Sequence, residues 1–124
     1  MDILEPDGRV VNPLLKALMI KCKTERIPIV ICANSNAHCD LWGNDGTNHR
    51  GEILKDFIFQ HDLTLQNVGN EPTFLGRDAN TSIDITLTGG VDVSGWQVSR
   101  EVTFSDHVLI KFNIALVAAF DKSR

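Results

Sequence analysis

Positive charge is scarce in this chain. Its 124 residues carry 12 Lys and Arg against 16 Asp and Glu, a formal net charge of −4. A stand-alone nucleic-acid binder normally carries a basic patch that neutralises phosphates. If this chain meets DNA, the attraction has to come from a divalent metal or from further sequence. The one basic cluster, Lys16, Lys21, Lys23 and Arg26, falls at helical spacing beside Glu25 and reads as a solvated helix face. Cysteine is sparse as well. Cys22, Cys32 and Cys39 are odd in number and form no CxxC pair, which argues against a disulfide framework and the usual zinc spacings. Cys22 and Cys32 lie in apolar contexts and are expected to pack as small hydrophobes. Cys39 follows His38 in a polar stretch and is expected toward solvent.

Long apolar runs are missing too. None approaches the ~20 residues that span a bilayer, and Met1-Asp2-Ile3-Leu4-Glu5-Pro6 has no resemblance to a signal peptide. The expectation is a soluble intracellular chain with no membrane partner. There is no internal repeat and no low-complexity tract. With 43% hydrophobic and 23% charged residues, the composition is that of one globular domain over residues 1–124.

What is present alternates between helix and strand patterns. Asn12-Pro13 reads as an N-cap and first helical position. Leu14, Leu15, Leu18 and Met19 then predict a helix over about Pro13–Lys23 with those four on its apolar face. Ile29 to Ala33 is a continuous, largely β-branched run, the mark of a strand buried on both faces. Asn34 through His49 is a long polar loop, and loops of that length are usually functional or disordered. Helical spacing returns from Arg50 to Gln60, with Ile53, Leu54, Phe57 and Ile58 on the apolar stripe. Short strands are predicted over Leu63–Val68 and Thr73–Leu75, around a Gly69–Pro72 turn. In Ser82–Leu87, alternation puts Ile83, Ile85 and Leu87 on one face and Asp84 and Thr86 on the other. Trp96–Phe104 and His107–Leu116 complete the pattern as two more strands. This order predicts an α/β layer, a mixed sheet covered by helices.

Polar residues gather where these strands end, and strand ends hold side chains at fixed separations. Asn34 and Asn36 are two apart after the Ile29 strand, so continued alternation would point both to one side. Asp84 lies on the polar face of its strand, and Ser105-Asp106-His107 precedes the last strand. Taken singly, each has a plain reading: loop-shaping asparagines, a solvated edge-strand Asp, a turn with a chance histidine. Trp42 either stacks on a base or fills a pocket under the loop. The spacings of His38, His49 and His61 fit no standard metal site, so these read as loop and helix-cap histidines.

In order along the chain, Ala33-Asn34-Ser35-Asn36, Ser82-Ile83-Asp84 and Ser105-Asp106-His107 resemble the endonuclease/exonuclease/phosphatase superfamily. The intervening Asn36-Ala37-His38, Leu41-Trp42-Gly43, Thr47-Asn48-His49-Arg50-Gly51, Asn67 and Pro72-Thr73-Phe74 are similar to the endonuclease domains of non-LTR retrotransposons. The likeness runs from about Ile27 to Ile114 and matches the second half of that domain. It implies a truncated two-layer α/β sandwich, of which this stretch holds the second sheet and its helices. The family's early metal-binding Glu, first-motif Asn and mid-domain Tyr or His have no counterpart here. Glu5 and Asn12 lack the strand context to replace them.

The resemblance also implies a chemistry, magnesium-dependent (or manganese-dependent) hydrolysis of a DNA phosphodiester. It makes Asn34, Asn36, Asp84 and His107 the candidate catalytic residues and Asp106 the candidate metal ligand. Asp84 would orient the His107 imidazole, His107 and Asn36 would contact the reacting phosphate, and Asp106 would hold the ion. Asn34 stands where the family motif, Gly-Asp-x-Asn, has its acid. A carboxamide can position a water, but it carries no charge and cannot take a proton as a base. Two functions stay open: an impaired DNA-nicking endonuclease acting with a missing half-domain or a reverse transcriptase, nuclear in location, or a non-catalytic remnant that binds or self-associates through an uncovered sheet face.

Overall fold

The computed structural model describes residues 3–5, 10–69, 72–75, 80–99 and 107–116. The elements run in the order α1 (Pro13–Glu25), β1 (Ile29–Asn34), a one-turn 3-10 helix (Asp40–Trp42), α2 (His49–Gln60), β2 (Thr64–Leu65), β3 (Phe74–Leu75), β4 (Asn80–Thr81), β5 (Asp84–Gly89), β6 (Val91–Ser99) and β7 (Leu109–Leu116). Ser105 and Asp106 lie outside the described residues, as does the 100–104 portion of the strand expected over Trp96–Phe104. No described helix is long and apolar enough to cross a membrane.

Both helices are fixed at their starts by asparagine. Asn12 accepts from the Leu14 amide at 2.9 Å, with Pro13 supplying the preset φ of a first helical position. α1 ends at Arg26, which adopts a left-handed φ of 56° and donates its N–H to the carbonyls of Cys22 and Lys23. The buried residues of α1 are Leu15, Met19 and Cys22, spaced i, i+4, i+7. Leu14 and Leu18, expected beside them, are 71% and 44% exposed. Each lies one residue, about 100° of rotation, away from the buried stripe. Asn48 caps α2, accepting from Gly51 N at 2.9 Å and also from His38 N at 3.1 Å. Its buried face is Gly51, Leu54, Phe57 and Ile58.

The central sheet is three-stranded in the order β1-β5-β2. Both of its ladders are antiparallel, with Ile29 opposite Gly89 and Asn34 opposite Asp84 in one, and Thr64 opposite Thr88 in the other. β3 pairs with β4, and β6 pairs with β7 around an irregularity between Ser94 and Gln97. Ile85 and Leu87 of β5 join Leu15, Met19, Leu54, Phe57 and Ile58 in the core. Thr86 and Thr88 are buried as well, and Trp96 of β6 donates its indole N–H to Thr86 Oγ1 at 3.0 Å. β5 is therefore covered on both faces.

β1 is not. It stands at the end of its sheet; Ile29, Ile31 and Ala33 pack on the core, but Cys32 is exposed and no residue of the strand is fully buried. A run of β-branched residues signals a strand, and it is the neighbours of that strand that decide how many faces are covered. Cys39 departs from expectation in the other direction, being wholly buried. The loop after β1 turns alternate residues inward, so Ser35, Ala37 and Cys39 are buried while Asn36, His38 and Asp40 face out.

Candidate active site

Asp84 opens β5 and sits across the ladder from Asn34, which closes β1. Both backbone polar groups of Asp84 are taken on the other edge of its strand. Its N–H donates to Thr73 Oγ1 at 3.0 Å, and its carbonyl accepts from Asn67 Nδ2 at 2.9 Å. Asn34 and Asp84 therefore form a non-hydrogen-bonded pair, the kind in which cross-strand side chains approach most closely. From there the carboxylate reaches the last segment, with Asp84 Oδ2 2.6 Å from His107 Nδ1. With the proton on Nδ1 donated to the carboxylate, the neutral ring carries its lone pair on Nε2.

His107 is held from two further directions. It makes a β-bridge with Phe74, whose ring meets the imidazole edge-on with centroids 4.9 Å apart. The next residue, Val108, donates its N–H to the Thr73 carbonyl at 2.9 Å. Thr73 thus ties the Asp84 strand to the His107 segment, its hydroxyl also accepting from Ile83 N at 3.1 Å. Thr73 is almost fully buried. Neither hydrophobic pattern nor charge marks it in the sequence; only its place in Pro72-Thr73-Phe74 gave a signal.

The polar loop is pinned to the same strand end. Ser35 donates its hydroxyl to the Ile83 carbonyl at 2.7 Å, and its amide donates there at the same distance. Asn44 exchanges two bonds with the Ser82 backbone, at 2.8 and 3.2 Å. Trp42, 1% exposed, donates its indole N–H to the Ala37 carbonyl at 3.1 Å, so it anchors the loop by packing.

A cavity of about 290 Å³ lies where β1 and β5 face β7, lined by Asn34, Asp84 and His107 among apolar neighbours such as Ile85, Leu109 and Phe112. Cys32 is on its wall. Partial desolvation pushes this thiol above its ordinary value, a hydrogen bond with Thr86 working against the rise, and the protonated thiol is a poor nucleophile. Asn36 does not line the cavity. It takes a left-handed φ of 48°, its N–H donates to Asn34 Oδ1 at 2.9 Å, and its carbonyl accepts from Arg50 Nε at 3.1 Å. The strand has ended at Asn34, so the alternation that would have put the two side chains together no longer applies.

Among the described residues, no group of three His, Cys, Asp or Glu side chains is placed to hold a metal ion. Among the described residues lining the cavity the one carboxylate is Asp84, whose Oδ2 is already engaged by His107. Magnesium takes hard oxygen ligands, and this carboxylate with a carboxamide and an imidazole does not by itself make such a site. His49 starts α2 and His61 caps its end.

The chain belongs to the endonuclease-reverse transcriptase family, whose model matches residues 4–111. Among solved structures it is similar to the endonuclease domain of TRAS1, a telomere-specific non-LTR retrotransposon. Identity is 25%, the TM-score is 0.69, and the match covers 91% of this chain and 55% of that one. The chain thus spans little more than half the length of the solved relative. None of the curated proteins matches it.

Proposed function

We propose that this retrotransposon-endonuclease-like domain handles a DNA phosphodiester with His107, oriented by Asp84, and that it does so weakly on its own. The observation that carries the reading is the 2.6 Å Asp84–His107 contact, made at a cavity that Asn34 also lines. In this reading the carboxylate fixes the imidazole orientation, and Nε2, once protonated, donates to a phosphate oxygen. Asn34 spends its Oδ1 on the Asn36 amide and keeps its Nδ2 protons for positioning water. It cannot serve as a base, and a lost general base typically costs ~10²–10⁴ in rate. Asn36 would meet phosphate from its exposed turn rather than from within the cavity.

Magnesium, or manganese in its place, is proposed for Asp106, which adjoins His107 in sequence and offers the ligand type that such ions take. The ion would supply charge stabilisation at the phosphate. A DNA substrate, a complementary half-domain or reverse transcriptase in the same element, and a nuclear place of action belong to the same proposal. A non-catalytic remnant is the second reading. It is favoured by the carboxamide at Asn34 and by Asn36 turning out of the cavity.

Nicking of supercoiled plasmid, with and without magnesium, separates the two. The chain alone is expected to stay near background, and Asn34→Asp to add at most a slight gain. The gain should become clear when the upstream half of a related domain is added in trans, and His107→Ala should abolish it. If the reconstituted Asn34→Asp protein stays silent, the remnant reading holds. Robust nicking by the unaltered chain, lost in His107→Ala, would overturn the claim of weakness.

A further inference from the structure

β5 loses its strand neighbour just before it reaches Asp84. β2 pairs with it at Thr64–Thr88 and Leu65–Leu87, and one more backbone bond follows, Gln66 N to Thr86 O at 2.9 Å. The chain then turns away, and Thr86 N–H and Asp84 C=O would be left without a strand beside them. A single side chain takes both. Asn67 Oδ1 accepts from Thr86 N at 2.9 Å, and Asn67 Nδ2 donates to Asp84 O at 2.9 Å. The carboxamide has the donor and acceptor of a peptide group in nearly the same plane, so it continues the ladder by one rung.

We infer that Asn67 is a positioning residue for the Asp84–His107 pair. The two peptide groups it holds flank Ile85, and the first of them sets ψ of Asp84. Thr73 Oγ1 fixes the amide on the other side of the same residue. With both peptide planes around Asp84 held, its Cα–Cβ bond has one direction, and the carboxylate is delivered to His107 Nδ1. Only a carboxamide supplies both halves of this contact. Aspartate keeps the acceptor for Thr86 but sets a carboxylate oxygen against the Asp84 carbonyl, and alanine loses both. This inference rests on the reading that Asp84 and His107 work together, and it concerns what aims the first at the second.

The test reads the tautomer of His107 by 15N NMR of histidine-labelled protein, at a fixed pH at which the ring is neutral. It needs no nicking activity, so failure of the nicking assay and failure of this inference are separate results. The unaltered chain should show His107 mainly in the Nδ1–H form. Asn67→Ala and the isosteric Asn67→Asp should both shift the ratio toward Nε2–H by about fivefold, the equivalent of one ordinary hydrogen bond. Gln66→Ala is the control: it removes the neighbouring Gln66 Nε2 to Thr88 Oγ1 bond of 2.8 Å and should leave the ratio unchanged. Folded Asn67 variants with an unaltered ratio would overturn the inference, whatever their stability. Variants that unfold outright would overturn it too, since Asn67 would then serve the fold rather than the aim of Asp84. In the unaltered chain, absence of a through-hydrogen-bond coupling from Asn67 Nδ2 to the Asp84 carbonyl carbon would do the same.

Discussion

Asn34 and Asp84 stand opposite each other across the β1–β5 ladder, in one of its close, non-hydrogen-bonded pairs. A carboxylate at position 34 would therefore face a second carboxylate. Asn34→Asp is expected to cost about 0.2–1 kcal/mol at neutral pH, the usual penalty of like charges placed directly opposite. The penalty should shrink as salt screens it. Urea unfolding of both proteins at low and at high ionic strength measures it, and an equal difference at the two would refute the electrostatic account.

Gly51 is the point where α2 touches the loop. A Cβ there would lie 1.9 Å from the His38 carbonyl oxygen, which is backbone and cannot swing aside. Asn48 makes its two bonds to the His38 amide and carbonyl at the same place, so the helix cannot withdraw without losing them. Gly51→Ala should lower stability by about 1–3 kcal/mol, in the range of overpacked cores. Gly46→Ala, with nothing within 4 Å of its added Cβ, should be close to neutral. Thermal melts of the pair give the comparison.

Trp42→Phe keeps an aromatic ring but removes the donor to the Ala37 carbonyl. Loss of that bond and a small void together should cost about 2 kcal/mol, the Ala37 carbonyl keeping only the longer 3.3 Å contact from Ser35 Oγ. Backbone amides of residues 35–44 should then exchange faster with solvent, while those of β5 should not. Unchanged exchange in the loop would show that Trp42 does not anchor it.

His61 supplies a pH dependence of stability. Desolvation, then the nearby Lys16 and Lys23 charges, hold its imidazole below the ordinary value of 6.5, Asp62 opposing them weakly. Its Nε2 is buried without a hydrogen-bond partner among the described residues, and its ring lies 4.7 Å from that of Phe57. The unfolded chain therefore takes up the proton first as pH falls. The stability tied to the neutral ring is complete above 6.5 and is lost as pH drops toward the lowered folded value. The thermal midpoint should be lower at about pH 5.5 than at about pH 7.5, and His61→Gln should flatten that slope. A slope as steep in the variant would assign the dependence to other groups.

Much of this architecture is written in local pattern. The Asn12-Pro13 start of α1 and the Leu54, Phe57, Ile58 stripe of α2 follow from capping and from a period of 3.6 residues, both carried by near neighbours. The failures share a cause. Leu14 and Leu18 are as apolar as Leu15 and Met19, and only the position of the core says which pair it covers. Ile29–Ala33 announces a strand without announcing that it ends a sheet. Asn36 would share a side with Asn34 only if alternation ran two residues beyond the strand, and there the chain turns with positive φ. Thr73 and Asn67 act through single polar bonds to distant backbone, which leave no periodic trace. The Asp84–His107 contact, spanning 23 residues, was foreseen only through resemblance to a family, because composition and spacing do not say that two strand ends meet.

The register of β1 against β5 also bears on how quickly the molecule assembles. Ile29 finds Gly89 about sixty residues along the chain, so the ladder closes only after a long loop has been gathered in. The two helices, built from near neighbours, have no such wait. During that interval Ile29, Val30 and Ile31 are an unpaired β-forming segment, free to pair with the same segment of another chain. Yield of folded protein should therefore depend on how dilute the refolding chains are kept, with losses that begin at β1.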